Sequence, residues 1–157
     1  MLGLTIALAM IMSYIEALVP LSFAVPGIKM GLANIVIIFV LYKIGTKEAI
    51  LVSLIRVILV SLLFSNVMAM AYSIAGATLS LSIMWLLKKA DKFSFVGVSI
   101  AGGIMHNVGQ IIMAVILLGT QQIALYLPVL MITGTATGVV IGIVSGLVIN
   151  RFKNIRL

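Results

Sequence analysis

Polar and charged side chains interrupt stretches of this sequence that are otherwise apolar. A charged group at membrane depth costs roughly 2.5–3.5 kcal/mol on insertion scales, so it persists where it pairs, faces a bundle interior or lines a cavity. The chain is therefore expected to bind or move something polar. The five side chains with this placement are Glu16, Asn34, Arg56, His106 and Gln110.

The composition indicates that lipid is the solvent. The 157 residues are 64% hydrophobic and 8% charged, whereas a soluble domain has about 45–50% apolar and about 25% charged residues. The apolar runs lack the alternation of barrel strands, which favours helices. The sequence has no cysteine, Walker motif or GxGxxG loop, and its length leaves no room for a nucleotide-binding domain. We expect a single membrane domain over residues 1–157.

Six apolar segments predict an all-α integral membrane protein, a bundle of six transmembrane helices. The second segment is short for a hydrocarbon core, which needs about 20 residues. The sixth is long and contains Pro128 and several glycines, so a kink or tilt is expected there. The segments are residues 2–19, 30–42, 48–64, 67–87, 95–118 and 123–149.

Basic residues lie on one side of this arrangement. Lysines and arginines follow the second, fourth and sixth segments, while the connections after the first, third and fifth contain only Lys29. Positive residues stay in the cytoplasm. The protein is therefore predicted to lie in the cell membrane with both termini on the cytoplasmic side. The net charge of +7 is thus explained by topology and lipid phosphate, and nucleic acid is not expected as a partner.

With this orientation the polar residues gather in the outer half of the membrane, which predicts a substrate pocket open to the outside. On the fifth helix Ser99, Gly103, His106 and Gln110 share one face. On the first, Ala9, Ser13 and Glu16 form a similar stripe. The candidate substrate-binding residues are Glu16, Lys29, Asn34, Arg56, Asn66, His106, Asn107 and Gln110.

Structural roles are the alternatives for these residues. Arg56 is the natural partner of Glu16, with Lys29 as a second, and such a pair could simply join two helices. His106 could be a bundle histidine bonded to a carbonyl, and Asn34 and Gln110 could be interhelical hydrogen-bond donors. No second histidine or carboxylate stands at ligand spacing, so no metal site is predicted. Neither catalytic residues nor a cofactor are predicted.

Small residues allow close helix approach and form two stripes. On the first helix, Gly3 with Ala7 and Ala9 with Ser13 form small-xxx-small pairs, which predict a docking face for a partner subunit. On the sixth, glycines recur every four residues and favour internal packing. These glycines are Gly134, Gly138, Gly142 and Gly146.

The stretch PGIKMGLANIV at residues 26–36, after a helix ending in Tyr14-Ile15-Glu16, resembles the Gx transporter family. That family is often labelled heptaprenyl diphosphate synthase component I and is similar to the S components of energy-coupling-factor (ECF) transporters. The resemblance covers nearly the whole chain. It implies a six-helix subunit that captures a vitamin-like micronutrient near the extracellular face. It also implies docking through the first helix onto a transmembrane coupling subunit driven by an ATPase pair.

Three hypotheses for the function follow. The leading one is a non-enzymatic substrate-capture subunit whose partners are a small-molecule ligand, the coupling subunit with its ATPase pair, and membrane lipid. The second is a non-catalytic membrane accessory subunit of a heptaprenyl diphosphate or quinone biosynthetic system. The third is a stand-alone transporter or channel, against which the sequence shows no clear inverted repeat and no polar path through the inner half. Aspartate-rich magnesium motifs of a prenyl synthase are absent, since Asp91 is the sole aspartate.

Overall fold

The computed structural model describes residues 2–18 and 31–152, and all regular structure within those ranges is helical. Its α-helices follow the predicted order. In sequence they are α1 (Leu2–Leu18), α2 (Leu32–Lys43), α3 (Thr46–Phe64), α4 (Val67–Ala90), α5 (Phe95–Leu118) and α6 (Leu127–Arg151), with a 3₁₀ helix at Gln121–Tyr126 before α6.

Local capping explains several helix ends. The side-chain oxygens of Asn66 and Ser94 accept hydrogen bonds from the N–H three residues on, at 2.8 and 3.2 Å, and so begin α4 and α5. These residues satisfy donors that a helix start leaves unpaired. Asp91 and Gly119 adopt the left-handed conformation, with φ of 53° and 63°, and so end α4 and α5. Phe95–Leu118 accordingly matches its predicted bounds.

The start of the sixth helix differs from the prediction. Residues 123–126 belong to the 3₁₀ helix, and Pro128 is the second residue of α6. A backbone N–H in the first turn of a helix has no acceptor within the helix. A proline there, which lacks this N–H, therefore costs no hydrogen bond. Pro128 therefore begins α6 and does not kink its interior.

Three helical segments are long and apolar enough to cross a membrane, namely Val67–Ala90, Phe95–Leu118 and Gln121–Arg151. The helix α3 has 19 residues but carries Lys47, Glu48 and Arg56, while α1 and α2 have only 17 and 12 residues. Large apolar side chains such as Leu4 and Ile132 are 72% exposed. Apolar exposure on this scale suits lipid, not water, so the chain is a membrane protein.

The helices pack as two groups. In the first, α5 lies between α4 and α6 and contacts both extensively. In the second, α1, α2 and α3 contact one another, while α3 also meets α4 and α2 meets α6. The short α2 supplies much of the core, since Ile37, Ile38 and Leu41 are almost fully buried.

Glycines bring α4, α5 and α6 close together. A Cβ atom on Gly138 would lie 2.7 Å from the Cα of Ile100, and one on Gly142 would lie 2.6 Å from the Cα of Val96. Gly134 and Gly146 also face α5. The internal packing predicted for the glycine stripe of α6 is thus confirmed.

Candidate functional site

A cavity of about 300 Å³ lies between the two groups of helices, and all six helices contribute to its lining. This volume is at the lower end of the range for small-molecule sites, about 300–1,000 Å³. Most of the residues expected to bind substrate meet there. Those that line the cavity are Glu16, Asn34, Arg56, His106, Asn107 and Gln110.

Two candidate residues lie elsewhere. Asn66 is exposed, caps α4 and is not part of the cavity lining. Its side chain accepts the capping hydrogen bond of α4, so a role of Asn66 in substrate binding stays a prediction. Lys29 lies outside the described residues. The predicted stripe on α5 is confirmed, since Ser99 and Gly103 line the cavity together with His106 and Gln110.

Glu16 connects α1 to the start of α2. Its Oε1 accepts a hydrogen bond of 2.5 Å from the backbone N–H of Gly31. Gly31 precedes α2 and has a φ of 70°, a conformation that glycine adopts without steric cost. A carboxylate at a helix N-terminus is favoured by the helix dipole. Glu16 therefore has a structural role as well as a place in the cavity wall.

Arg56 presents an unsatisfied donor at the cavity. Its Nε is buried and has no hydrogen-bond partner within the part of the chain that the structure describes. The negative charge of Glu16 acts on the guanidinium. Because Arg56 lines the cavity and a guanidinium carries a positive charge, this side chain is suited to pair with a carboxylate or carbonyl group that a ligand brings in.

His106 and Gln110 pack around a glycine of α4. A Cβ on Gly76 would lie 2.8 Å from the carbonyl oxygen of His106 and 3.0 Å from the Cγ of Gln110. The absence of a side chain at Gly76 lets α5 approach closely enough for both residues to reach the cavity wall. Imidazole and amide groups can donate and accept hydrogen bonds, and so can orient a polar ligand.

Asn107 joins α5 to α6. Its Nδ2 donates a 2.5 Å hydrogen bond to the carbonyl oxygen of Leu130, which also accepts one from Thr133 at 3.1 Å. The amide oxygen of Asn107 takes no part in this contact. Asn107 therefore supports the cavity wall and can still offer an acceptor to a ligand.

Hydroxyl side chains complete the lining and were not among the candidates. Their signal in the sequence is weak, because serine and threonine are common in membrane helices, where they also bond to backbone carbonyls. Thr137 does so with Thr133 at 2.9 Å. The additional hydroxyl residues are Ser61, Ser65, Ser73, Ser80 and Thr137.

The proposed docking residues of α1 divide into two sets. Gly3 and Ala7 are exposed, and a Cβ on Gly3 would meet nothing within 4 Å. Ala9 is fully buried and Ser13 lines the cavity. A partner could therefore contact Gly3 and Ala7, whereas Ala9 is buried and Ser13 belongs to the cavity lining.

Lysine side chains link the ends of neighbouring helices on one side of the bundle. Lys43 donates to the carbonyl of Phe152 at 2.6 Å, and Lys88 donates to that of Leu41 at 2.5 Å. Lys88 also lies 5.3 Å from the ring centroid of Tyr42. Cations at helix C-termini satisfy carbonyls and complement the dipole. The lysine-rich side of the bundle is thus held by direct contacts.

Acidic and metal-binding residues are sparse in the cavity. Within residues 2–18 and 31–152, no group of three or more His, Cys, Asp or Glu side chains could hold a metal ion. The described part of the lining offers one carboxylate, one guanidinium, one imidazole and several amides and hydroxyls. It is chemically suited to hydrogen bonding and charge pairing with a small molecule.

The sequence profile of one protein family matches residues 5–148, more than half of the chain. The chain belongs to the heptaprenyl diphosphate synthase component I family. The matched segment includes all the described residues that line the cavity. No curated protein and no solved structure matches the chain.

Proposed function

We propose that this member of the heptaprenyl diphosphate synthase component I family is the substrate-binding S component of an ECF-type uptake transporter, without enzymatic activity of its own. In this proposal all six helices cross the cell membrane, both termini are cytoplasmic and the cavity receives its ligand from outside. The observation that carries the proposal is the meeting of six polar side chains from α1, α2, α3 and α5 around one cavity.

The ligand would provide hydrogen-bond partners for these polar groups. An anionic or carbonyl group would accept hydrogen bonds from Arg56, and Lys29 would assist. His106, Asn107, Gln110 and Asn34 would fix its orientation. Since unpaired polar groups are costly in lipid, a loaded protein would move within the bilayer more easily than an empty one.

The transporter proposal requires a partner. A transmembrane coupling subunit, driven by an ATPase pair, would dock on the exposed small residues Gly3 and Ala7. Small residues permit the close helix contacts on which association in membranes depends. The ligand would be a vitamin-like micronutrient or a prenyl or quinone precursor.

Native mass spectrometry of the protein, purified in mild detergent from its own host, tests the capture role. The wild type should carry a small molecule, and Arg56→Ala should lose it while retaining the helical content and unfolding midpoint of the wild type. Arg151→Ala is the matched control, because this arginine is exposed at the end of α6. An affinity that Arg56→Ala leaves unchanged would remove Arg56 from the proposal.

A second candidate function is suggested by the family's description. Component I of a synthase could be a membrane accessory subunit of a soluble prenyl diphosphate synthase. It predicts that the purified protein is empty and carries a synthase subunit, and that deletion abolishes synthase activity. The same mass spectra therefore discriminate between the two functions.

A further inference from the structure

The cavity lining stops before the lysine-rich side of the bundle, where α2, α4 and α6 end. Helix α1 begins at this side, because Glu16 near its other end bonds to Gly31 at the start of α2. On each helix one lining residue lies nearest to this side, and the residue four positions farther lies about one turn away on the same face. The nearest lining residues, from α1 to α6, are Ser13, Ile38, Arg56, Met84, Ser99 and Ile141.

Three side chains at this next level contact one another and come from α2, α4 and α5. The Nζ of Lys88 lies 5.3 Å from the ring centroid of Tyr42. The ring of Phe95 meets that of Tyr42 edge-on, with 4.8 Å between the centroids. Lys88 also donates a hydrogen bond to the carbonyl oxygen of Leu41. Tyr42, Lys88 and Phe95 thus form a floor beneath the cavity that joins the two groups of helices.

The other three helices close the same level with buried residues. Ala9, Val52 and Ser145 lie one turn beyond the lining of α1, α3 and α6, and each has a relative exposure of 0%. Beside Ser145, a Cβ on Gly146 would lie 3.3 Å from the ring of Phe95, so this glycine lets the floor pack closely against α6. Among the described residues, every helix is therefore closed between the cavity and the lysine-rich side.

The opposite end of the cavity reaches the surface of the bundle. Phe64 and Ser65 end the lining of α3, and both are exposed, Phe64 to 48%. On α4 the lining starts at Ala69, in the first turn of the helix. The connection between α3 and α4 therefore lies at the mouth of the cavity.

We propose that the floor is a gate, closed in this structure, which leaves the end at Phe64 as the entrance of the cavity. A ligand would pass to the lysine-rich side only when the contacts among Tyr42, Lys88 and Phe95 are broken. Cation–π and edge-to-face contacts are individually weak, so the gate can open while the helices stay folded. This inference rests on the proposed capture function and describes how release from that same site is controlled.

Single introduced cysteines test the gate, since the sequence has no cysteine of its own. Thr137→Cys places a thiol in the cavity lining. Lys92→Cys and Gln121→Cys, at exposed positions before α5 and after it, report the lysine-rich side and the opposite side. Sulfonatoethyl methanethiosulfonate, which does not cross membranes, is applied to sealed membrane vesicles of both orientations. Thr137→Cys should react only in the vesicles in which Gln121→Cys reacts.

Opening the gate by substitution provides the second measurement. When Phe95→Ala is added, the rate at Thr137→Cys from the lysine-rich side should rise roughly ten-fold, because an edge-to-face contact no longer opposes opening. Lys88→Met, which keeps an apolar stem without the charge, should act in the same direction. Phe152→Ala is the matched control. It removes a ring that contacts Phe39 at the same side but is not part of the floor, and should leave the rate unchanged.

The intact gate decides the proposal even if its variants fail to fold. Reaction of Thr137→Cys from the lysine-rich side would overturn the gate, and a lack of reaction from either side would overturn the entrance. Rates in folded Phe95→Ala and Lys88→Met no higher than in Phe152→Ala would also contradict the proposal. The reaction requires no ligand, so native mass spectra without a captured molecule would remove the proposed function and leave the gate standing.

Discussion

The two groups of helices differ in how they are held together. The group α4–α6 is joined through glycines, and a Cβ on Gly109 would lie 2.6 Å from the carbonyl oxygen of Ala75. The group α1–α3 is joined by aliphatic side chains around α2 and by the hydrogen bond between Glu16 and Gly31. Backbones in direct contact leave no room to shift, whereas side chains can repack.

The same division separates the chemistry of the cavity. Its acidic and basic side chains in the described lining, Glu16 and Arg56, come from α1 and α3, while α5 supplies imidazole and amides. The tightly packed group thus presents neutral hydrogen-bonding groups from a fixed wall. The other group carries the charges on helices with less extensive mutual contact. If the bundle opens for a ligand, we expect α1 and α3 to move against α4–α6.

Gly109→Ala is expected to cause the largest loss of stability, because it disrupts the close contact between α4 and α5. The new Cβ would meet backbone atoms of Ala75 and Gly76 at 2.6–2.9 Å, so α4 and α5 must separate. Overpacking of this kind costs about 1–3 kcal/mol. The free energy of unfolding, measured by denaturant titration in mild detergent, should fall by that amount.

Gly3→Ala is the matched control for this prediction. Its Cβ would enter open space on α1, and alanine is a better helix former than glycine by up to about 1 kcal/mol. Its stability should be unchanged or slightly higher. Equal losses in the two variants would mean that the contact between α4 and α5 is no tighter than the surface of α1.

Glu16→Ala should cause the next largest loss of stability. It removes the hydrogen bond that links α1 to the start of α2 in the group α1–α3. The Gly31 N–H would lose its acceptor, at a cost of about 1 kcal/mol. Glu16→Gln retains an acceptor oxygen and should lose less, about 0.3–1 kcal/mol, since it removes only the negative charge, which acts at the start of α2 and on Arg56. Asp91→Asn removes a charge from an exposed position and serves as the control. A Gln variant as unstable as the Ala variant would show that charge, not the hydrogen bond, makes the link.

Much of the fold could be predicted from the sequence because membrane helices have strong local signals. The order of the helices and the ends of α5 follow from apolar runs bounded by Ser94 and Gly119. The start of α6 could not, since residues 123–126 are apolar enough to continue a helix, whereas the structure has them in the 3₁₀ helix Gln121–Tyr126. Likewise, the small size of Ala9 does not reveal whether it packs inside or against a partner.

The candidate site was partly predictable for a related reason. Charged and amide residues stand out in an apolar sequence, and the period of the helix places His106 and Gln110 on one face. Asn66 stands out equally, but its side chain caps α4 at the turn and does not line the cavity. The link between Glu16 and Gly31 depends on how two helices meet, which no single stretch of sequence specifies.

Asn107 belongs to both the tightly packed group and the cavity wall, and its replacement should have the smallest effect on stability. In Asn107→Leu the carbonyl of Leu130 keeps its bond from Thr133, so the loss should be near the average of about 0.6 kcal/mol for such bonds in membranes.

Asn66→Ala provides the contrast, because it removes an N-cap worth about 1 kcal/mol at a position outside the cavity. If Asn107 serves the ligand, its variant should lose more affinity than stability, whereas Asn66→Ala should lose stability alone. Ligand retention, measured by native mass spectrometry of the protein from its host, and unfolding measurements together separate the two. The reverse pattern would assign Asn107 to packing and leave ligand recognition to Arg56 and His106.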